Sequence, residues 1–363
     1  MAVTPNDLDL FRFRWSDLPP VTADLPGTGG IIRATPEDFQ VHELPLYLPE
    51  GAGSHAYARV RKRNLTTRDL VRALMRAGVP ERDIGVAGLK DKHAVTEQWL
   101  SVPNRHAAAL EALGELEGVT VLEASRHRNK LGIGHLRGNR FTVRVRQAQG
   151  DAPALARAIL DELAGRGVPN YFGPQRFGRH GGNAIDGLKL VRGQSVPGGH
   201  MLKRFFVSAL QSQLFNHTLT LRLERGLFAR VVTGDWAKKH DTGGVFEVAD
   251  SAAESPRAEH LEISATLPLY GKKVRISSGE AGELEGEALE HFGLRWTDFT
   301  SRKGARRISR ILPEDVSLEP ADDGYLLGFT LPKGAFATNV LREVMKVDVD
   351  VAGSQEEGED SDG

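Results

Sequence analysis

Asp91 stands between Lys90 and Lys92 in the segment GLKDKHAVTEQW, residues 88–99. An aspartate with cations beside it stays ionised even when partly removed from water. An ionised, fixed carboxylate acts as nucleophile or as general base. Gly88 lets backbone or substrate approach closely. Taken alone, the same residues would also suit a plain surface turn. The other familiar centres are missing. The chain has no cysteine, which removes disulfides and thiolate metal sites. His127, His135 and His180 show no paired spacing and no carboxylate motif suited to zinc. Neither a Walker loop nor a GxSxG elbow occurs, and GIGHLRG (132–138) lacks the strand and helix that a dinucleotide loop requires.

Three basic stretches accompany Asp91. Residues 125–146 hold seven Lys/Arg and no acid, residues 59–76 seven against Asp69, and residues 302–310 five and no acid. Each alone could be a solvated face. Together, in a chain of formal net charge -1, they point to a polyanion, because Lys and Arg contacts to phosphate supply much of nucleic-acid affinity. The overall charge is misleading, because the last ten residues, SQEEGEDSDG, hold five acids and no base. Without those five, 47 basic side chains face 43 acidic ones, an excess of four positive charges. Residues 354–363 read as a disordered, solvated tail.

The elements that must hold these residues follow from periodicity. Residues 31–43 read as a strand, a turn at Thr35–Pro36 and a second extended piece. A helix is predicted over 66–77, with Thr66 or Thr67 as cap, Leu70, Val71, Leu74 and Met75 on its apolar face, and Gly78 and Pro80 ending it. In RFTVRVR (140–146), Phe141, Val143 and Val145 alternate with Arg140, Thr142, Arg144 and Arg146, which predicts a strand with one buried and one basic face. Helices are predicted over 153–164 and 204–225. Residues 240–260 read as loops, and 293–316 as basic and partly helical. A strand is predicted over 324–331. The length, 363 residues, suggests about two domains, with a change of texture at the Gly-rich GRGVPNYFGPQRFGRHGGN. No apolar run approaches the roughly 20 residues of a membrane span, and the N-terminus has no signal-peptide pattern. The expected location is the cytoplasm.

GLKDKHAVTEQW resembles the catalytic segment of the TruD family of tRNA pseudouridine synthases. Four further blocks resemble that family in the same order: TPEDFQVHE (35–43), HRNKLGIGHLRGNRF (127–141), GVPNYFGPQRFG (167–178) and LPKGAFATNVLRE (331–343). The resemblance implies an α+β pseudouridine synthase core, with a mixed antiparallel sheet and flanking helices, formed by 1–164 and 314–353. It also implies an inserted α/β domain over 165–313. It implies Asp91 as the catalytic carboxylate and Phe39, Asn139 and Phe336 as substrate-site residues. Arg33 takes the place of a basic residue near the site, and Phe141 that of the aromatic lining the uracil pocket. Read without the family, Phe39 and Phe141 are core candidates and Asn139 a turn residue.

The substrate implied is the uridine at position 13 in the D-arm of tRNA, with no cofactor or metal, no membrane, no obligatory protein partner, and a monomeric enzyme. Two other readings of the chain are a non-catalytic RNA-binding protein on a synthase fold and a carboxylate enzyme acting on a nucleotide or sugar.

Overall fold

The computed structural model describes residues 9–178, 180–299 and 302–349. The acidic segment 354–363 lies outside the described residues. By internal contacts the chain forms two compact units. One comprises Thr28–Arg157 and Pro313–Ala337; the other gathers Ala158–Leu312 with the chain before Thr28 and after Ala337.

The first unit is built on a sheet of 8 strands. In chain order they begin β1 (Phe39–Pro45), β2 (His55–Arg63), β3 (Gly85–Val86), β4 (Val95–Pro103), β5 (Val119–His127) and β6 (Leu136–Arg146). They end with the hairpin Glu314–Ala321 and Gly324–Pro332. From the hairpin inward the order is β6, β1, β4, β2, β5, with β3 paired to β4. All ladders are antiparallel except β1 with β4, where Gln40 faces Val95. That parallel pair brings the start of β1 and the start of β4 to the same end of the sheet.

Alternation decides which side chains enter the core. The predicted pattern in β6 holds: Phe141, Val143 and Val145 are buried. On the same face lie Phe39 and Val41 of β1 and Leu327, Phe329 and Leu331 of the last strand, all buried. Gly138 is needed where β6 meets that strand, because a Cβ there would fall 2.1 Å from the Leu331 carbonyl oxygen.

The helix predicted over 66–77 is Thr67–Arg76. Thr66 Oγ1 accepts from the Asp69 amide and Asp69 Oδ2 accepts from the Thr66 amide, a reciprocal cap. Leu70 and Leu74 are buried in a core with Val60 and Leu100. Met75, expected on the apolar face, is exposed.

The second unit centres on the helix His200–Glu224. Its neighbour Asn183–Val191 packs so closely that a Cβ on Gly187 would meet the Phe206 carbonyl oxygen at 2.2 Å. A four-stranded sheet runs Ala305–Ile308, Ile263–Leu269, Trp236–Lys239, Val245–Glu247. The N-terminal stretch belongs to this unit because Phe13 stacks on Phe177 at 4.4 Å and Glu343 accepts from the Val21 and Thr22 amides.

Two local expectations fail. Residues 240–260 contain a strand and a helix, Ser251–Glu259, which Asp250 caps through the Ala252 and Ala253 amides. The described residues of the basic segment 293–316 form a 3-10 turn at Trp296–Asp298, the strands Ala305–Ile308 and Arg310–Ile311 and the start of Glu314–Ala321, with no α-helix among them. The segment completes the edge of the four-stranded sheet, and Gly304 passes so near Leu269 and Gly271 that no side chain fits.

Candidate active site

Asp91 lies on the loop that enters β4, and the backbone there is held from three directions. Lys62, fully buried, donates from Nζ to the Asp91 carbonyl oxygen at 3.0 Å and also to that of Leu65. Thr67 Oγ1 accepts the Lys90 amide at 2.9 Å while donating to Gln98 Oε1 at 2.8 Å. The Lys90 side chain turns inward and places its Nζ 2.7 Å from Glu43 Oε2, with both side chains nearly inaccessible. The other Glu43 oxygen accepts the Trp99 amide at 3.1 Å. A single buried carboxylate thus joins β1, β4 and the loop. Lys90 serves the backbone of the loop, and the cation that meets the Asp91 carboxylate comes from elsewhere.

That cation is Arg33. Its Nη2 donates to Asp91 Oδ2 at 2.9 Å. The guanidinium is largely buried while the Asp91 carboxylate is 40% exposed, so the acid is paired and still reachable. Arg33 has φ +60°, an unusual backbone for a long side chain. Such conformations recur where a site over-determines its geometry. Its Cζ lies 4.1 Å from the centre of the Phe39 ring. Phe39 meets Phe141 edge-on at 6.1 Å, and Phe141 stacks on Phe329 at 5.4 Å.

The residues proposed from sequence therefore fall on one unit. Arg33 contacts both Asp91 and Phe39, and Phe141 follows in an aromatic series. Asn139 is two residues from Phe141 on the same strand face, opposite Glu43 and Leu331. Its Oδ1 is buried with no hydrogen-bond partner among the described residues. A buried amide oxygen left unsatisfied is costly and calls for an explanation. Phe336 is half-buried on the loop beyond Pro332, just past the strand that pairs with Asn139.

A model of the tRNA pseudouridine synthase D (TruD) family matches residues 17–197 and 198–344. The chain belongs to the TruD family. It is 51% identical over 337 residues to a tRNA pseudouridine synthase D of Thermus thermophilus, covering 93% of this chain and 94% of that one. A relative with the same name from Anaeromyxobacter dehalogenans is 52% identical over 345 residues, covering 91% and 97%. A crystal structure of a TruD-type protein from Methanosarcina mazei superposes with a TM-score of 0.73 at 26% identity, covering 96% of this chain and 99% of that one. The mixed-sheet fold expected from the resemblance is the TruD fold.

Within this TruD family member, Lys62, Glu43 and the inward turn of Lys90 escaped the sequence reading. Glu43 was accessible in principle: it shares the phase of Phe39 and Val41 in β1, so alternation points a carboxylate into the core. The basic stretches are less open than composition suggests. Arg61 and Arg59 meet Glu97 at 2.7 and 3.1 Å, Arg63 meets Glu37 at 2.6 Å, and Arg146 meets Asp38 at 2.8 Å. In the third stretch Arg306 pairs with Glu285 at 2.6 Å, and buried Arg310 donates to the Ala258 and Ile263 carbonyls. Among the described residues no helix is long and apolar enough to cross a membrane.

Proposed function

We propose that the protein converts uridine to pseudouridine in tRNA, at position 13 of the D-arm, with Asp91 as the catalytic carboxylate. The unit holding Asp91 carries the chemistry, and the span 165–313 is the inserted domain. The observation that supports this reading is the contact series Asp91–Arg33–Phe39, continued by Phe141 on the sheet face that also carries Asn139.

The reaction is an internal rearrangement. The bond from uracil N1 to ribose C1′ breaks, a C5–C1′ bond forms, the C5 proton leaves and N1 gains one. Atoms and electrons balance without an oxidant or a second substrate. Asp91 acts either by attacking C1′ or by removing a ribose proton; both routes need the carboxylate that Arg33 holds in place by donating to Oδ2. The target base must first leave its stack, at a cost of a few kcal/mol. Base–aromatic stacking, worth roughly 1–3 kcal/mol per base, offsets that cost through half-buried Phe336, while buried Phe39 and Phe141 back the Arg33 guanidinium. Asn139 Oδ1 accepts from a base or sugar donor and so acquires its missing partner.

Purified protein, incubated without added cofactor with unmodified tRNA bearing a uridine at position 13, is expected to yield pseudouridine at that nucleotide alone. Asp91→Asn is expected to abolish conversion while tRNA binding persists. Full conversion by Asp91→Asn would overturn the role of Asp91. Salt-sensitive binding without conversion on any tRNA would favour a non-catalytic RNA-binding protein.

A further inference from the structure

The second unit holds a group of arginines that the proposed chemistry does not use. Arg176 lies at the end of the turn Pro174–Arg176, within GVPNYFGPQRFG. Its guanidinium carbon is 5.4 Å from the ring centres of both Phe172 and Phe205. Arg307 lies over the same Phe172 ring at 4.2 Å, and its side chain also bonds to Asn170. Arg302 donates to the Arg204 carbonyl oxygen and, at 3.3 Å, to Ser208 Oγ. Arg204, Phe205 and Ser208 lie in the first turns of the helix His200–Glu224.

These arginines burden one another. Burial, and then the charge of Arg176, lowers the Arg307 pKa to about 9. Burial, and then Arg302, lowers that of Arg176; burial, and then Arg204, lowers that of Arg302. No carboxylate contributes to the shift of Arg176 or of Arg302. Elsewhere in the unit Arg222 has Asp235 at 2.9 Å and Arg306 has Glu285, while buried Arg310 is met by the Ala258 and Ile263 carbonyl oxygens. Arg176, Arg204 and Arg302 have no acid partner among the described residues. Uncompensated like charge opposes folding, and a bound anion relieves it.

We propose that Arg176, Arg204 and Arg302, backed by Arg307, form a binding site for a backbone phosphate of the RNA substrate. The proposal rests on the tRNA reading above. Guanidinium groups match phosphate oxygens with paired hydrogen bonds. The nearby aromatic faces already carry guanidiniums, so the site takes an anion and not a stacked base. Arg204 is exposed and Arg176 and Arg302 are half-buried, which leaves the group open to a large ligand.

The test measures binding of unmodified tRNA to the full-length protein across a salt series, with conversion assayed in parallel. Each phosphate contact contributes roughly 0.7–0.9 to the slope of log K against log salt. Arg204→Gln is on an exposed side chain and keeps the fold; it is expected to lose close to one such unit and about tenfold in affinity. Arg204→Gln with Arg302→Gln loses about two units. Arg302→Lys keeps the slope but not the full affinity. Arg230→Gln, which removes an exposed arginine paired to Glu259, leaves the slope unchanged.

Unchanged slopes in folded Arg204→Gln and Arg302→Gln proteins overturn the site. Wild-type conversion alongside those unchanged slopes would remove the site and keep the synthase. Arginine-dependent binding without conversion would do the reverse. Absence of tRNA binding by the wild type would overturn both.

Discussion

Arg33 reaches Asp91 across 58 positions of sequence, donating from Nη2 to Oδ2 at 2.9 Å while its Cζ sits 4.1 Å from the Phe39 ring centre. One guanidinium therefore fixes an acid and an aromatic face together. Hydrogen bonds to charged groups contribute roughly 1.5–3 kcal/mol, so Arg33→Met is expected to slow single-turnover conversion about 10- to 100-fold. Arg33→Lys, which keeps the charge but not the planar contact with Phe39, should recover part of that loss. A rate equal to wild type in Arg33→Met would show that Asp91 needs no cationic partner.

The Glu43–Lys90 pair is buried on both sides. Removing one partner of such a pair costs about 3–5 kcal/mol, because the other charge stays buried and uncompensated. Lys90→Met is thus expected to lower the melting temperature sharply. Glu43→Leu combined with Lys90→Met should restore much of it. If the pair also positions Asp91, the stable double variant remains slow at saturating tRNA, whereas recovery of full rate would assign the pair to stability alone.

Asn139 presents a buried, unpartnered oxygen in the free protein. Its replacement by alanine should change folding stability little, by about 1 kcal/mol or less, since no hydrogen bond to that atom is lost. Conversion should fall about tenfold or more if the oxygen meets the substrate. A large fall in melting temperature with normal activity would reverse that assignment.

His217 stacks on His291 at 4.2 Å and is largely removed from water. Burial, and then the charge of His291, lowers its pKa to about 4 from an ordinary 6.5. Below pH 6.5 the unfolded chain takes up a proton that the folded protein refuses until near pH 4. Stability is therefore full above pH 6.5 and is lost as pH falls through that window. His217→Leu should flatten this acid-side decline in a melting series from pH 7 to pH 4.5. An identical slope in both proteins would place the decline in other groups.

Local patterns carried much of the fold. Alternation in 140–146 gave the correct buried face, and Thr66 with Asp69 marked the start of a helix. The helix Ser251–Glu259 was missed because its polar, Pro256-containing sequence lacks an apolar stripe, although Asp250 offered a cap. Segment 293–316 was misread because its arginines resemble a solvated helix face, whereas Arg306 and Arg310 satisfy acids and carbonyls in the interior. The site residues were legible as motif matches. Their arrangement was not: the contacts of Arg33 with Asp91 and of Glu43 with Lys90 join distant positions, and long-range pairing leaves no period in sequence. Asn139, read locally as a turn residue, sits mid-strand.

The pairing of β6 with Gly324–Pro332 has a consequence during synthesis. The inner strands emerge from the ribosome early, yet the strand that covers the free side of β6 is translated only after Ala158–Leu312 of the second unit. At about 5–20 residues per second, that side stays bare for roughly ten to forty seconds. Premature termination anywhere in the intervening stretch would release a chain with an unfinished apolar strand, the kind of edge that recruits other chains. The last strand is thus also the cell's safeguard against aggregation of this protein, and a chaperone that shields nascent β edges would have its longest task here.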